Sequence, residues 1–481
     1  MLESPLLRNV GGYIGGRWVV SGPMTFTVVN PATGEPLATV PDLGAEAADR
    51  AVEAAAQAQA RPPTVDARRG WLVAIHDALL AHRPELARII TLEQGKPLKE
   101  SLVEVEYAAG FFKYFASILD ALAPRELPQR IRNARWTVHH RPTGMAALIT
   151  PWNFPIAMLA KKLAPALAAG CATITKPADL TPLTSVALWH LLESIGLPPG
   201  WANLIVGRPA PIGRVLCEHP SVRLISFTGS TEVGRTLAAQ CAPHVKRLAL
   251  ELGGNAPFIV MDDADLRSAV DALMANKFRC AGQTCVCANR VLVQRGAVEP
   301  FTRLVAERVA RLKVGDGQVD GTDIGPLINA SAVAKVRRHV DDAVSRGARV
   351  VASAGNVDSN LAARGNFFPP CVLTDLPEDA VMLREETFGP VVGVAPFDTD
   401  EQAVERANGT LYGLAAYLFT GDHARAERLA ARLQFGHVGV NTATGPTPEA
   451  PFGGFKQSGF GREGGLEGLL EFTEPQTVVR G

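Results

Sequence analysis

The stretch Lys277-Phe278-Arg279-Cys280-Ala281-Gly282-Gln283-Thr284-Cys285-Val286-Cys287, with Glu251-Leu252-Gly253-Gly254-Asn255 a short way upstream, is the one around which the chain is organised. Cys285 is flanked by small residues and turn formers, which places its sulfur at a loop or helix start. Amide dipoles there lower a thiol pKa and favour the nucleophilic thiolate, so Cys285 is the candidate nucleophile. A buried thiol acting as a small hydrophobe is the alternative that the local sequence leaves open.

Upstream of this stretch, short apolar runs alternate with helical segments from Met145 onward. Ala146–Thr150, Ala172–Thr175, Asn203–Val206, Leu224–Phe227 and Arg247–Leu250 read as strands, and Ile156–Ala169 and Thr184–Ile195 as helices. That alternation is the pattern of a parallel, doubly wound sheet. After Glu251 it recurs, with strands at Phe258–Val260 and Val291–Gln294 and helices at Asp265–Phe278 and Pro300–Leu312, so a second α/β domain follows the first. Nearer the N-terminus, Tyr13 to Val40 is rich in short β pieces and Ala45 to Glu106 has helical periodicity. Between them and the first sheet, the alternating run Ile131–Val138 reads as a half-exposed edge strand, of the kind that pairs with another subunit.

Composition narrows the function classes. The 481 residues predict two or more domains, and 47% hydrophobic with 20% charged residues describe an ordinary globular chain. Lys plus Arg and Asp plus Glu are both 48, so no net field attracts nucleic acid or an anionic membrane. No apolar run approaches the roughly 20 residues of a membrane span, and the start of the chain lacks a secretory pattern, which predicts a cytoplasmic protein. Seven cysteines at irregular spacing do not form a disulfide framework. Cys280, Cys285 and Cys287 lack a fourth nearby ligand, so no metal site is expected.

Several segments at strand ends carry chemistry, each with a plainer reading beside it. Thr228-Gly229-Ser230-Thr231 runs into a helix whose free amides suit a dinucleotide pyrophosphate, with Gly229 allowing a close turn and Ser230 capping; ordinary strand–turn–helix packing reads as well. Lys176 and Asp179 fit the hydroxyls of a ribose, or form a solvated charge pair. Asn153, within Pro151-Trp152-Asn153-Phe154-Pro155, can donate to a developing oxyanion or serve as a turn residue. Glu385-Glu386-Thr387-Phe388-Gly389-Pro390 is otherwise a capped, solvated turn.

Taken together these motifs resemble the aldehyde dehydrogenase superfamily from about Tyr13 to the C-terminus. The likeness runs through Pro-Trp-Asn-Phe-Pro at 151–155, Thr-Lys-Pro-Ala at 175–178, Phe-Thr-Gly-Ser-Thr at 227–231, Glu-Leu-Gly-Gly-Asn at 251–255, Gly-Gln-Thr-Cys at 282–285, Glu-Glu-Thr-Phe-Gly-Pro at 385–390 and Pro-Phe-Gly-Gly at 451–454. Gly-Gln-Thr-Cys-Val-Cys-Ala-Asn-Arg at 282–290 and the ending Lys456–Gly464 are similar to the succinate-semialdehyde dehydrogenase branch. The resemblance implies an α/β fold: a Rossmann-type NAD-binding domain (residues 8–122 and 142–253), an α/β catalytic domain (254–445), and a β oligomerisation arm (123–141 and 465–481) in a homodimer or homotetramer.

It also implies roles. Cys285 attacks the aldehyde, Asn153 and the Cys285 N–H hold the oxyanion, hydride passes to NAD, and Glu251 activates water to release the acid. Trp152, Lys176, Asp179, Gly229, Ser230, Glu386 and Phe388 would bind the cofactor. The carboxylate of Asp179 favours NAD, with NADP possible. Phe154, Lys161, Arg279, Thr447 and Phe452 would line the substrate tunnel. Succinate semialdehyde is the first expectation, with glutarate semialdehyde or an aliphatic or aromatic aldehyde as alternatives. This chain departs from the pattern at Cys280, where the family usually has Asn, and at Lys161, where an Arg is typical. Cys287 is a possible redox partner of Cys285, with Cys280 as the other.

Overall fold

Five parallel strands carry the first half of the structure, a computed structural model that describes residues 2–128, 133–355 and 359–481. In spatial order they are Ala202–Leu204, Thr173–Lys176, Met145–Ile149, Val222–Thr228 and Arg247–Glu251. Each lies within two residues of the strand its apolar run predicts. The chain lays down Met145–Ile149 first, steps outward twice on one side, then crosses to build the other. That reversal opens a crevice beyond the carboxyl ends of Met145–Ile149 and Val222–Thr228, the place where open α/β sheets receive ligands. The segments leaving those two ends are Trp152-Asn153 and Gly229-Ser230.

The sheet is not parallel throughout. Gly12–Ile14 and Arg17–Val19 form a hairpin that adds antiparallel to Ala202–Leu204, and Gly459–Phe460 adds antiparallel to Arg247–Glu251. Both edges of the apolar sheet are thereby closed by short strands rather than left open. The early β-rich region therefore divides: its first two strands complete this sheet, while Met24–Val29 and Pro36–Asp42 pair with each other. The helical region that follows resolves into four helices, the last running from Leu98 to Ser117.

Four residues, Leu252–Asn255, carry the chain from the end of Arg247–Glu251 to the start of Ala256–Val260 in a second sheet. Its order is Arg349–Ser353, Cys371–Thr374, Val391–Phe397, Ala288–Gln294, Ala256–Val260, Ala415–Phe419 and His437–Val440, parallel except at the first edge. The carboxyl end of one sheet thus faces the amino end of the other, with the residues around Cys285 leading into Ala288–Gln294. In the expected edge strand, Ile131 and Arg132 lie outside the described residues. The observed strand, Arg135–Pro142, pairs antiparallel along its whole length with Thr473–Arg480, whose other edge is unpaired among the described residues. Among the described residues, no helix is long and apolar enough to cross a membrane.

The helix Ala157–Ala169 is buried along its entire length and has no side-chain cap of its own. Glu104, from the helix Leu98–Ser117, supplies the cap: its Oε1 accepts from the N–H groups of Ile156 and Ala157 at 3.1 and 3.3 Å. Its Oε2 is 2.6 Å from Lys96 Nζ, which also donates to the Asn153 carbonyl at 2.6 Å and lies 3.6 Å from the centre of the Phe154 ring. Both charged side chains are fully excluded from water. Every polar atom of the pair is engaged, the condition under which a buried ion pair is tolerated. Removing one partner leaves the other charge uncompensated, so Glu104→Gln is expected to cost about 3–5 kcal/mol of stability, read as a fall in the denaturation midpoint. Lys96→Met combined with Glu104→Leu should recover part of that loss; a single variant as stable as the parent would contradict this account.

Candidate active site

After the helix Leu266–Lys277 the backbone takes three successive left-handed residues, Cys280, Ala281 and Gly282, with φ of 52, 53 and 74°. For Cys280 and Ala281 this conformation is strained, at about 1–2 kcal/mol each. At Gly282 only glycine fits, since a Cβ would lie 2.3 Å from the Gly389 carbonyl oxygen. Hydrogen bonds from distant segments hold the strained turn. Cys280 N–H donates to Glu100 Oε2 at 2.7 Å, and Gln94 Nε2 donates to Cys280 Sγ at 3.2 Å. Gln283 Oε1 accepts from Ile328 N–H at 2.9 Å, and the Gln283 carbonyl accepts from Asn153 Nδ2 at 2.9 Å. An amide nitrogen carries two N–H groups, so Asn153 keeps one beyond the bond to Gln283.

Cys285 follows on this turn, half-buried, and not at a helix start. The expectation of a lowered thiol pKa is therefore overturned. Burial pushes the Cys285 thiol well above its ordinary range, the Glu251 carboxylate pushes it further, and Lys161 only partly opposes them. No helix-end amides are present to offset the low dielectric. Glu251, at the end of Arg247–Glu251, is itself raised by burial and by the charge of Glu463, against Lys161 and Lys162. Burial thus raises both members of the pair, the Cys285 thiol and the Glu251 carboxyl.

Two cavities meet at Cys285. One, of about 310 Å³, is lined by Trp152, Asn153, Gly229, Ser230, Glu386 and Phe388 together with Cys285. The Trp152 and Phe388 rings meet edge-on at 5.7 Å, and Phe388 has a left-handed φ of 55°. Ser230 Oγ caps the helix Thr231–Cys241 by accepting from Val233 N–H at 3.3 Å. Glu386 is pushed up to about 7 by burial, opposed by Lys335 and by the Gly254 N–H 3.3 Å away. A Cβ on Gly253 would come within 3.2 Å of Thr231 Oγ1 and 3.3 Å of Glu386 Oε2, so the absent side chain keeps this space open. Lys176 and Asp179 do not line the cavity: Lys176 donates to the Pro177 carbonyl at 2.6 Å and is lowered to about 8 by burial, with Asp179 and Asp42 opposing.

The second cavity, of about 590 Å³, has Phe154, Lys161, Arg279, Thr447 and Phe452 in its wall with Cys285. All five residues expected for a substrate tunnel are thus gathered on one side of the thiol. Burial alone would lower the pKa of Lys161, but Tyr107, Glu463, Glu251 and Cys285 outweigh it and raise it instead. Its Nζ is 3.6 Å from Glu463 Oε2 and 4.7 Å from the Phe452 ring centre. Arg279 lies over Phe154 at 5.3 Å and makes no ion pair among the described residues. The Cys287 thiol takes a hydrogen bond from buried Lys277 Nζ at 3.3 Å, and all seven cysteines are free.

Sequence reasoning missed Glu463, which pairs with Lys161 and Lys162, and Tyr107, in the wall of the second cavity, whose buried hydroxyl has no hydrogen-bond partner among the described residues. Lys162 Nζ also donates to Thr228 Oγ1 at 2.7 Å. Two adjacent lysines within an otherwise apolar helix were the visible signal for that network. Lys335, on the helix Ala330–Ser345, and Met158, shared by both cavities, carried none.

Residues 18–478 match the model of the aldehyde dehydrogenase family. The chain is 45% identical to the mitochondrial succinate-semialdehyde dehydrogenase of Arabidopsis thaliana, covering 100% of this chain and 91% of that protein. It is 43% identical to the glutarate-semialdehyde dehydrogenase of Pseudomonas putida over 98% of each, and 44% identical to the NADP(+) succinate-semialdehyde dehydrogenase of Escherichia coli over 98% of each. An oxidoreductase from Marinobacter aquaeolei superposes with a TM-score of 0.96 at 53% identity over both full chains. Betaine aldehyde dehydrogenase from Staphylococcus aureus in complex with NAD+ superposes at 0.95 with 36% identity, covering 98% of this chain and 95% of that one.

Because the Glu251 charge raises the Cys285 thiol, Glu251→Gln should shift the pH profile of Cys285 alkylation by iodoacetamide toward lower pH. An unmoved profile, or one moved upward, would show that Glu251 does not govern the thiol.

Proposed function

The chain belongs to the aldehyde dehydrogenase family, and on that premise we propose that it oxidises the semialdehyde of a short dicarboxylic acid, succinate semialdehyde first. It is a nicotinamide-dinucleotide-dependent enzyme acting on an aldehyde. The observation that carries the substrate reading is the charge on the aldehyde side of Cys285. Lys161 shares the Glu463 carboxylate with Lys162, whereas Arg279 makes no ion pair among the described residues, so Arg279 is the cation left to receive a distal carboxylate, and its planar fork suits one. Phe154 and Phe452 would pack the carbon chain between, and Thr447 would offer a hydroxyl at the rim. A cavity of about 590 Å³ is generous for four carbons, which favours glutarate semialdehyde as the second reading.

The mechanism follows from the arrangement. Glu251 accepts the thiol proton as Cys285 Sγ attacks the aldehyde carbon. The oxyanion of the thiohemiacetal is met by the free N–H of Asn153 and the Cys285 backbone N–H. A bound nicotinamide dinucleotide supplies the hydride acceptor that turns this adduct into a thioester. Trp152, Gly229, Ser230, Glu386 and Phe388 fit its nicotinamide half, since the cavity they line ends at Cys285 and Gly253 leaves it unobstructed. Once Glu251 has passed the thiol proton to solvent it is a carboxylate again and takes a proton from water; the hydroxide adds to the thioester carbonyl, and the acid is released as the Cys285 thiolate leaves. A carboxyl raised above its ordinary range by burial and by Glu463 is a stronger base for both transfers.

Purified protein assayed against succinate, glutarate and aspartate semialdehydes, propanal and benzaldehyde tests this reading. The expected outcome is the highest kcat/KM with succinate semialdehyde, and a loss of about 10–100-fold in Arg279→Met confined to the carboxylate-bearing substrates, as expected for one charged hydrogen-bonded pair. A preference for propanal or benzaldehyde would sink it.

For the cofactor we infer a preference for NAD. Asp179, beside buried Lys176, accepts a ribose 2′-hydroxyl but repels a 2′-phosphate. Asp179→Ser should raise kcat/KM with NADP while lowering it with NAD; an unmodified protein that turns over NADP equally well would refute the preference.

A further inference from the structure

His339 is fully buried on the helix Ala330–Ser345, the helix that also presents Ala332 and Lys335 to the cofactor-side cavity. Its Nδ1 lies 3.1 Å from Thr387 Oγ1, and its Nε2 lies 3.4 Å from Glu385 Oε2 and 3.4 Å from Arg338 on the surface side. Thr387 has no exposure and stands between Glu386 and Phe388, two residues of the cavity wall. The remaining ties of this segment come from the second sheet. Asn289 Oδ1 accepts from Thr387 N–H at 3.0 Å, and Asn289 Nδ2 donates to the carbonyls of Met382 and Glu385 at 2.9 and 3.2 Å. The Thr387 backbone is therefore fixed by Asn289, and its side chain by His339.

The stakes of that side-chain bond come from Phe388. Its φ of 55° is unfavourable for an aromatic residue and persists only where neighbours over-determine it. Gly389 follows against Val336 of the same helix, with room for no Cβ: one would stand 2.4 Å from a Val336 methyl. The turn that carries Cys285 rests in its own place on the Gly389 carbonyl. A hydroxyl can give or take a proton, so Thr387 satisfies either tautomer of a neutral imidazole. Burial and the nearby Lys335 keep His339 neutral, against Glu385.

We propose that His339 is a positioning residue for the dinucleotide site: through Thr387 it locks the segment Glu386–Phe388 into the backbone conformation that shapes the nicotinamide end of the cavity. The proposal rests on the reading that Glu386 and Phe388 contact the cofactor. Its distinguishing feature is that only one ring nitrogen matters. Nδ1 meets the buried hydroxyl, whereas Nε2 meets a half-exposed surface pair.

Two variants separate the nitrogens. The amide of Asn reaches the position of Nδ1, and the longer Gln reaches that of Nε2. His339→Gln is expected to raise the KM for the dinucleotide about three- to tenfold, the worth of one buried hydrogen bond, while His339→Asn restores most of it. The rate of Cys285 alkylation in the absence of cofactor should be the same in both, because the turn ahead of Cys285 is held by its own hydrogen bonds to Gln94, Glu100, Ile328 and Asn153. Thermal unfolding of each variant reports whether the fold itself has suffered. Equal dinucleotide KM values in the two variants, or alkylation rates that fall in parallel with them, overturn the positioning role. Glu386→Gln runs alongside: if its dinucleotide KM is unchanged, the cofactor reading of the cavity fails, and this proposal with it.

Discussion

A lysine and a glutamate with no access to water hold the catalytic region together. Lys96 and Glu104 are joined at 2.6 Å, and each spends its remaining hydrogen-bonding capacity on backbone rather than on solvent. The price of desolvating both charges is offset only because Glu104 caps a wholly buried helix and Lys96 grips the Asn153 carbonyl. Residues around Lys96 reach the other half of the site. Gln94 and Glu100 bind the sulfur and the N–H of Cys280, so one short segment fixes both the backbone at Asn153 and the strained turn ahead of Cys285. Gly95, in a left-handed conformation with φ of 98°, makes that segment possible; an added Cβ would meet Pro326 and Pro31 within 3 Å.

Around Cys285 a second network sets protonation states. Lys161 and Lys162 flank Glu463; burial would raise that carboxyl, but the two ammonium groups hold it below its ordinary range. Glu463 is in turn a negative charge near Glu251, which together with burial raises Glu251. The two lysines thus keep one carboxylate ionised, and that carboxylate makes the other basic.

Much of this was legible in the sequence. Apolar runs separated by helical periods gave the strands of the first sheet to within two residues, because a strand buried on both faces has little freedom in composition. The motifs at strand ends gave Cys285, Glu251 and Asn153, which the fold brings to one place. The early region read as β-rich, but where its short strands pair was not legible, nor was the edge strand Gly459–Phe460, since a two- or three-residue strand has no period to detect. Nor was the direction of the Cys285 shift: small residues and glycine predict a turn, but the charge facing the sulfur comes from Glu251, Lys161 and Glu386, which are remote in the chain. Lys176 and Asp179 sit at the expected strand end yet outside the cavity that holds Cys285, a separation that spacing along a chain cannot express.

The meeting of two cavities at a single sulfur has a consequence for how such an enzyme can change. Of the residues forming the two walls, Cys285 and Met158 alone belong to both. The aldehyde-side wall is drawn from the Leu98–Ser117 helix and the loop through Thr444–Pro448, the dinucleotide-side wall from Trp152, Gly229-Ser230 and Glu386–Phe388. Most side chains of one wall can therefore change without touching the other, although Trp152 and Phe154, two residues apart, stand on opposite walls. Under the proposed reading, the choice of aldehyde and the choice of coenzyme can change largely one at a time.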